Sequence, residues 1–109
     1  MKIVELKILP KKDSSHQRRM LSNNGYVDFS LLKDGVCAHT WHCPGEGRIF
    51  LRALEKYADE IGTKVIVPTV LNAKLRNILI ENGYSKKYIR YMDDAIELWE
   101  KASIASETL

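Results

Sequence analysis

Seven consecutive residues near the middle of the chain have a composition that suits the binding of an anion. They are His42, Cys43, Pro44, Gly45, Glu46, Gly47 and Arg48. A strand-like segment precedes them and a helix-like segment follows, and the first N–H groups of a helix lack partners within it and lie at the positive end of its dipole. Glycines allow a phosphate to approach that backbone closely, and Arg48 adds a cation. The segment predicts a phosphate site, with an ordinary tight turn as the alternative.

A second set of residues carries side chains of the kind that bind zinc. The set comprises Cys37, His39, His42 and Cys43. A strand sends Cys37 and His39 to one face and His42 to the other, and no second ligand pair lies downstream. We therefore predict no metal site. Two cysteines are too few for a disulfide framework, and we expect free thiols.

A β-hairpin over residues 26–41 is expected to lead into the glycine loop. Asp34-Gly35 suits the positive φ angles of a type I′ turn, which would place Phe29 opposite Thr40. Alternation then sends Val27, Phe29, Leu31 and Ala38 to the core face, and Cys37, His39 and Trp41 to the other.

The remaining elements alternate between strands and helices. The pattern predicts a strand over 2–9 that Pro10 ends, a short helix over 13–21, a helix over 48–61, a strand over 64–67, a helix over 72–82 capped by Asn72, a strand over 84–92 and a last strand, in preference to a helix, over 95–101. The apolar stripe of the first long helix consists of Phe50, Leu51, Leu54, Tyr57, Ala58 and Ile61, and that of the second of Leu75, Ile78 and Leu79. The fold class is α/β (α+β), a mixed, mainly antiparallel sheet with two main helices.

Length and charge limit the classes of function. The 109 residues make room for one domain, 1–109, of which we expect 102–109 to fray. No apolar run reaches the roughly 20 residues of a membrane span, and Glu5 interrupts the apolar start that a signal peptide needs, so we expect a cytoplasmic protein. Residues 1–50 hold eight Lys and Arg against five Asp and Glu, while 51–109 hold nine of each. Only the basic charge of the first half favours a nucleic-acid partner. We do not expect such a partner, because no run of aromatic residues that could stack on bases accompanies the charge.

The stretch from about residue 26 to residue 100 resembles the GNAT superfamily of acyl-CoA-dependent N-acetyltransferases. In that family the loop before the central helix reads Arg/Gln-x-x-Gly-x-Gly/Ala, and here His42 is followed at the same spacing by Gly45 and Gly47. A later family element is an Asn, a helix and a Gly-Phe or Gly-Tyr, which corresponds to Asn72 and to Gly83-Tyr84. The resemblance implies a GNAT-like fold and transfer of an acetyl group from acetyl-CoA to an amine on a small molecule or protein. It leaves homodimerisation open.

The resemblance also implies roles for individual residues. The cofactor-binding residues would be His42, Gly45, Glu46, Gly47, Arg48 and Asn72. The strand that ends near Trp41 would splay from its neighbour and pair with the pantetheine arm, and a free N–H there would polarise the thioester carbonyl. Tyr84 is the candidate acid and His39 the candidate base. Core packing of Tyr84 and an exposed strand position for His39 are the structural alternatives.

Three departures from the family pattern favour a second hypothesis. His42 replaces the usual Arg or Gln, and the tyrosine that often protonates the leaving thiolate falls on Leu79. The region before the hairpin, which builds much of the acceptor wall in the family, is short. Small phage-encoded proteins that resemble this superfamily show similar truncation. The alternative is therefore a catalytically inactive GNAT-fold binding protein, from a phage or an accessory system, that acts through a protein partner.

Overall fold

The computed structural model describes residues 6–10, 16–91 and 93–101, which form seven strands and two helices. The strands are β1 Lys7–Pro10, β2 Gln17–Leu21, β3 Tyr26–Leu32, β4 Gly35–His42, β5 Val65–Pro68, β6 Ser85–Tyr91 and β7 Asp94–Glu100. The helices are α1 Gly47–Glu60 and α2 Ala73–Glu81. The predicted fold class is confirmed, and so is a strand in place of a helix after Asp94. The predicted tail, 102–109, lies outside the described residues.

All seven strands belong to one sheet, in the order β1-β2-β3-β4-β5-β7-β6. β4 and β5 run parallel and are connected through α1, whereas every other neighbouring pair is antiparallel. A parallel pair needs a long crossover connection, and α1 provides it. β7, the last strand of the described residues, lies between β5 and β6.

Both helices pack on the same face of this sheet. Cross-strand partners share a face, so the register places the buried side chains of β2, β3, β4, β5 and β7 together. The sheet contributes Met20, Val27, Phe29, Val36, Ala38, Val65, Val67 and Trp99 to one core cluster, and the helices contribute Phe50, Leu51, Leu54, Ala58, Ile78 and Leu79. The predicted core face of the hairpin is confirmed, with Leu31 half-buried against it.

The two helices begin and end close to where the sequence predicts. Asn72 caps α2, because its side-chain oxygen accepts a hydrogen bond of 3.1 Å from the N–H of Leu75. Leu75 packs half-buried on the core beside Ile78 and Leu79. Ile61 was wrongly assigned to the apolar stripe of α1, since it is 50% exposed and lies at the end of the helix.

The short helix predicted over 13–21 is wrong for residues 17–21, which form β2; residues 13–15 lie outside the described residues. β2 pairs along its whole length with β3, and Met20 is buried opposite Val27. Residues 13–15 are of types that often precede a helix, which indicates a helix start, but pairing of β2 with β3 overrides such a local preference. The predicted first strand appears as β1, whose last residue is Pro10, and residues 2–5 of that prediction are not described.

The predicted register of the hairpin is also wrong, by two residues. Leu32 lies opposite Gly35 and Phe29 opposite Ala38, so Lys33 and Asp34 form the turn. Gly35 meets a different requirement: a Cβ there would lie 2.6 Å from the carbonyl oxygen of Lys64. The glycine permits the close approach of two backbones.

A β-bulge then changes the direction of the end of β4. Phe29 pairs with Ala38 but Asp28 pairs with Thr40, which leaves His39 as the extra residue. Beyond the bulge Trp41 lies opposite Val27, and it packs half-buried against the core. The prediction that Trp41 shares a face with Cys37 is therefore wrong.

Candidate functional site

A cavity of about 700 Å³ lies between α2, lined from Asn72 to Glu81, and the end of β4 with the glycine loop and the first turn of α1. Five of the six residues predicted to bind a cofactor line it: His42, Gly45, Gly47, Arg48 and Asn72. The cavity is also lined by Lys74, Asn77 and Glu81 of α2, which are not among the site residues predicted from the sequence. The spacing of Lys74 and Asn77 from the Asn72 cap could have indicated them.

The amino end of α1 presents unpaired hydrogen-bond donors. The first intrahelical bond runs from the N–H of Phe50 to the carbonyl of Glu46, and no side chain caps the helix. Within the described part of the chain, the N–H groups of residues 47–49 have no acceptor. Gly45, with φ +76°, would have no atom within 4 Å of an added Cβ, so its backbone borders open space. This end of the cavity is suited to an anion.

Glu46, the sixth predicted residue, does not line the cavity with its side chain. It is 7% exposed, and its carboxylate accepts a 2.9 Å hydrogen bond from the Ser22 hydroxyl in the β2–β3 turn. The N–H of Glu46 donates to the carbonyl of Cys43, which closes the loop before the helix.

Two cationic side chains contribute to the electrostatics of the cavity. The Arg48 guanidinium lies 2.8 Å from the Glu81 carboxylate, and both side chains are more than half exposed. Lys74 is exposed on the first turn of α2. An exposed ion pair is worth about 0–1 kcal/mol, so an anion could displace Glu81 from Arg48 at small cost.

His42 lies at the end of β4, exposed, opposite Tyr26 of β3. The centroids of the two rings are 5.4 Å apart, and the Arg19 guanidinium lies 4.0 Å from the Tyr26 ring centroid. Arg19 also forms an ion pair with the buried Asp28, with its Nε 2.7 Å from the nearer carboxylate oxygen. The His42 ring thus packs beside Tyr26 of the neighbouring strand at the border of the cavity.

The two cysteines are free and half-buried. Burial raises the pKa of Cys37, while burial and the nearby Glu46 carboxylate raise the pKa of Cys43 to about 11. Both residues are therefore thiols at neutral pH and poor nucleophiles. Across residues 6–10, 16–91 and 93–101, no group of three or more His, Cys, Asp or Glu side chains is placed to hold a metal ion.

The candidate acid and base lie away from the cavity lining. Tyr84 is 6% exposed and its hydroxyl donates to a carboxylate oxygen of Glu55 on α1 at 3.1 Å. Burial, followed by the negative charge of Glu55, raises the pKa of Tyr84. His39 is exposed at the bulge, with its Nδ1 2.9 Å from the Thr40 hydroxyl. Leu79 is fully buried in the core.

β4 and β5 diverge toward their carboxyl ends. They pair only at Val36 with Val65 and at Cys37 with Ile66, although β4 continues for five more residues, to His42. In the diverging part, the indole N–H of Trp41 donates to the carbonyl of Ala38 at 3.0 Å. Trp41 also lines the cavity, which places this strand end at the border of the site.

Comparisons with family models, with curated proteins and with solved structures find no match for this chain. Neither α1 nor α2, the helices of the described ranges, is long and apolar enough to cross a membrane.

Proposed function

We propose that this chain binds acetyl-CoA, or coenzyme A, in the cavity between the glycine loop and α2 and transfers the acetyl group to an amine. The observation that carries this proposal is the anion-suited end of the cavity. Uncapped N–H groups of α1, the open backbone of Gly45 and the side chain of Arg48 surround it, and Lys74 also lines the cavity. A pyrophosphate would satisfy these donors and cations together.

The sheet supplies further support. Its one parallel pair, β4 and β5, diverges at the end that borders the cavity. An extended arm of the ligand has room there to follow β4, and a β4 N–H could stabilise an oxyanion on a thioester carbonyl. The sequence resemblance to the GNAT superfamily likewise implies a strand that splays from its neighbour near Trp41 and pairs with the pantetheine arm.

A specific observation favours a second candidate, a binding protein of the same fold without catalysis. Leu79, which stands where the family often has its acid, is fully buried, and the Tyr84 hydroxyl is engaged by Glu55. A side chain held in this way is poorly placed to protonate a leaving thiolate, and loss of general acid catalysis costs about 10²–10⁴-fold in rate. The two candidates share ligand binding and differ in turnover.

Thermal unfolding with and without coenzyme A tests the shared step. A ligand at one hundred times its dissociation constant stabilises the folded state by about 2.7 kcal/mol, which is roughly a ten-degree rise in Tm for a domain of this size. Arg48→Ala and Lys74→Ala should each reduce the rise, and Lys56→Ala, on exposed surface of α1 outside the cavity lining, should not. No shift at millimolar coenzyme A would remove the proposal.

Release of free thiol from acetyl-CoA in the presence of an amine then separates the two candidates. Turnover above the uncatalysed rate that is lost in Arg48→Ala supports the transferase. Binding without turnover supports the binding protein.

A further inference from the structure

The residue immediately before α1 does not cap that helix. A Ser, Thr, Asp or Asn at this position usually turns its side-chain oxygen back to the first N–H groups, as Asn72 does for Leu75 of α2. Glu46 carries a carboxylate that could do the same, yet no side-chain cap is formed and the carboxylate is buried. The donors of α1 remain available because the Glu46 carboxylate is held elsewhere.

Ser22 holds it. The Ser22 Oγ accepts hydrogen bonds from the N–H groups of Asn24 at 3.2 Å and Gly25 at 3.1 Å, which leaves its single proton for donation. The Glu46 carboxylate is the acceptor at 2.9 Å, and the carbonyl of Gly25, at 3.4 Å, is a longer and uncharged alternative. A charged acceptor at the shorter distance gives the stronger bond.

The turn that carries Ser22 is fixed against the end of β4. A Cβ on Gly25 would lie 2.3 Å from the carbonyl oxygen of His42 and 2.7 Å from the Cα of Cys43. The backbones of the turn and of the loop are therefore in direct contact. The Ser22 hydroxyl stands in a defined position relative to Glu46.

Release of the Glu46 carboxylate would bring it into competition with a ligand. A carboxylate one residue before a helix is attracted by the first N–H groups and by the helix dipole, and these are the donors a phosphate would use. It would also repel the phosphate directly. We propose that Ser22 is a positioning residue that holds Glu46 away from the amino end of α1 and keeps the anion site open. This inference rests on the proposed function for its binding test.

Calorimetric titration with coenzyme A tests the proposal through a double variant. Ser22→Ala should weaken binding about tenfold, which is the effect expected when a capping carboxylate occupies the donors. Ser22→Ala combined with Glu46→Gln should recover most of the affinity, because the competing charge is gone. Ser22→Thr, which keeps the hydroxyl, should bind as the unaltered protein does, and so should the control Ser85→Ala on exposed β6. A double variant that binds more weakly than Ser22→Ala alone would assign Ser22 a merely structural role and overturn the proposal.

Hydrogen exchange of the ligand-free protein gives a readout that needs no ligand. In Ser22→Ala the amides of residues 48 and 49 should exchange more slowly than in the unaltered protein, because the Glu46 carboxylate now accepts from them, and the double variant should restore fast exchange. Unchanged exchange in Ser22→Ala overturns the proposal even where coenzyme A binds. Failure of the unaltered protein to bind coenzyme A instead removes the proposed function, and the exchange rates still decide whether Ser22 restrains Glu46.

Discussion

The Arg48 guanidinium and the Glu81 carboxylate, 2.8 Å apart, join the first turn of α1 to the last residue of α2, and both residues line the cavity. Glu81 therefore neutralises a cation that an anionic ligand would need. Glu81→Gln should raise the affinity for coenzyme A by up to about fivefold, since a pair this exposed is worth only about 0.2–1 kcal/mol. Titration calorimetry at low ionic strength measures the change. Glu60→Gln, at the exposed end of α1, is the matched control. Equal or lower affinity for Glu81→Gln would contradict the competition.

Cys43 should react slowly with iodoacetamide at pH 8, because only the thiolate reacts and its pKa is raised to about 11. Burial is the larger cause of that shift and Glu46 the second. Glu46→Gln should therefore lower the pKa of Cys43 and speed its alkylation at constant pH, though not to the rate of an exposed cysteine. The measurement is made in a Cys37→Ser background. Identical rates with Glu and Gln would show that this carboxylate does not act on the thiol.

The same shift predicts a dependence of stability on pH. The pKa of Cys43 is raised on folding from 9.0, so its burial contributes fully to stability below about pH 9. This contribution should fall as pH rises from about 9 toward about 11, because over that interval the Cys43 thiol ionises in the unfolded chain but stays protonated in the folded protein. Urea unfolding at pH 7.5, 9 and 10.5 measures the loss. Cys43→Ala should lose less stability over that interval than the unaltered chain.

Leu54 and Ile61 lie on the predicted stripe of α1 and should differ sharply in their contribution to stability. Leu54 is fully buried and Ile61 is 50% exposed. Leu54→Ala should cost about 2–5 kcal/mol through lost burial and a residual cavity, whereas a surface change such as Ile61→Ala should stay within roughly 1 kcal/mol. Urea unfolding compares the two. Similar losses would place Ile61 in the core and contradict the structure.

Thr69, directly after β5, has φ +42°, a conformation that disfavours a β-branched residue. Its N–H donates to the carbonyl of Glu97 at 2.9 Å, which holds the strained backbone in place. Thr69→Gly keeps this bond and relieves the strain. Strain of about 1–3 kcal/mol outweighs the entropy cost of glycine, about 0.5–1 kcal/mol, so unfolding should require more urea. The half-buried Thr63, whose φ is not positive, is the control: Thr63→Gly should lower the urea concentration needed for unfolding.

Tyr84→Phe should destabilise the fold without weakening coenzyme A binding. The variant removes the hydroxyl that donates to Glu55, and a hydrogen bond to a charged group contributes about 1.5–3 kcal/mol. Lys101, whose Nζ lies 3.5 Å from the same carboxylate, remains as a partner. Unfolding and titration calorimetry together measure both effects. If acetyl transfer is detected and falls a hundredfold or more in this variant, Tyr84 is the acid after all.

Local patterns predicted the helices and much of the cavity lining. Asn72 caps α2 through a contact with Leu75, only three residues away, and the periodicity of α1 identified Leu54 as buried. Gly45 and Arg48 border the cavity because the glycine loop and the helix that follows it are adjacent in the chain. Such features depend on neighbours in sequence, which is why a single chain reveals them.

Other features depend on partners that are distant in sequence. Met20 belongs to a strand because β3 pairs with it, and Trp41 turns to the core because a bulge at His39 shifts the register. The contact between Ser22 and Glu46 spans 24 residues, and neither residue type indicates it. Tyr84 is directed to Glu55 by the packing of α1 beside the segment after α2. Tertiary contacts decide each of these positions.

The insertion of β7 between β5 and β6 has a consequence for synthesis of the chain. β7 follows both of its sheet neighbours in the chain and pairs with each of them, and Trp99 reaches the core with it. Until β7 is present, β5 has an open edge and β6 has no neighbouring strand among the described residues. β6 therefore joins the sheet only together with β7. A nascent chain stalled before residue 94 would lack Trp99, the partner of Val67 across the sheet, and would leave the edge of β5 open to pairing with other chains.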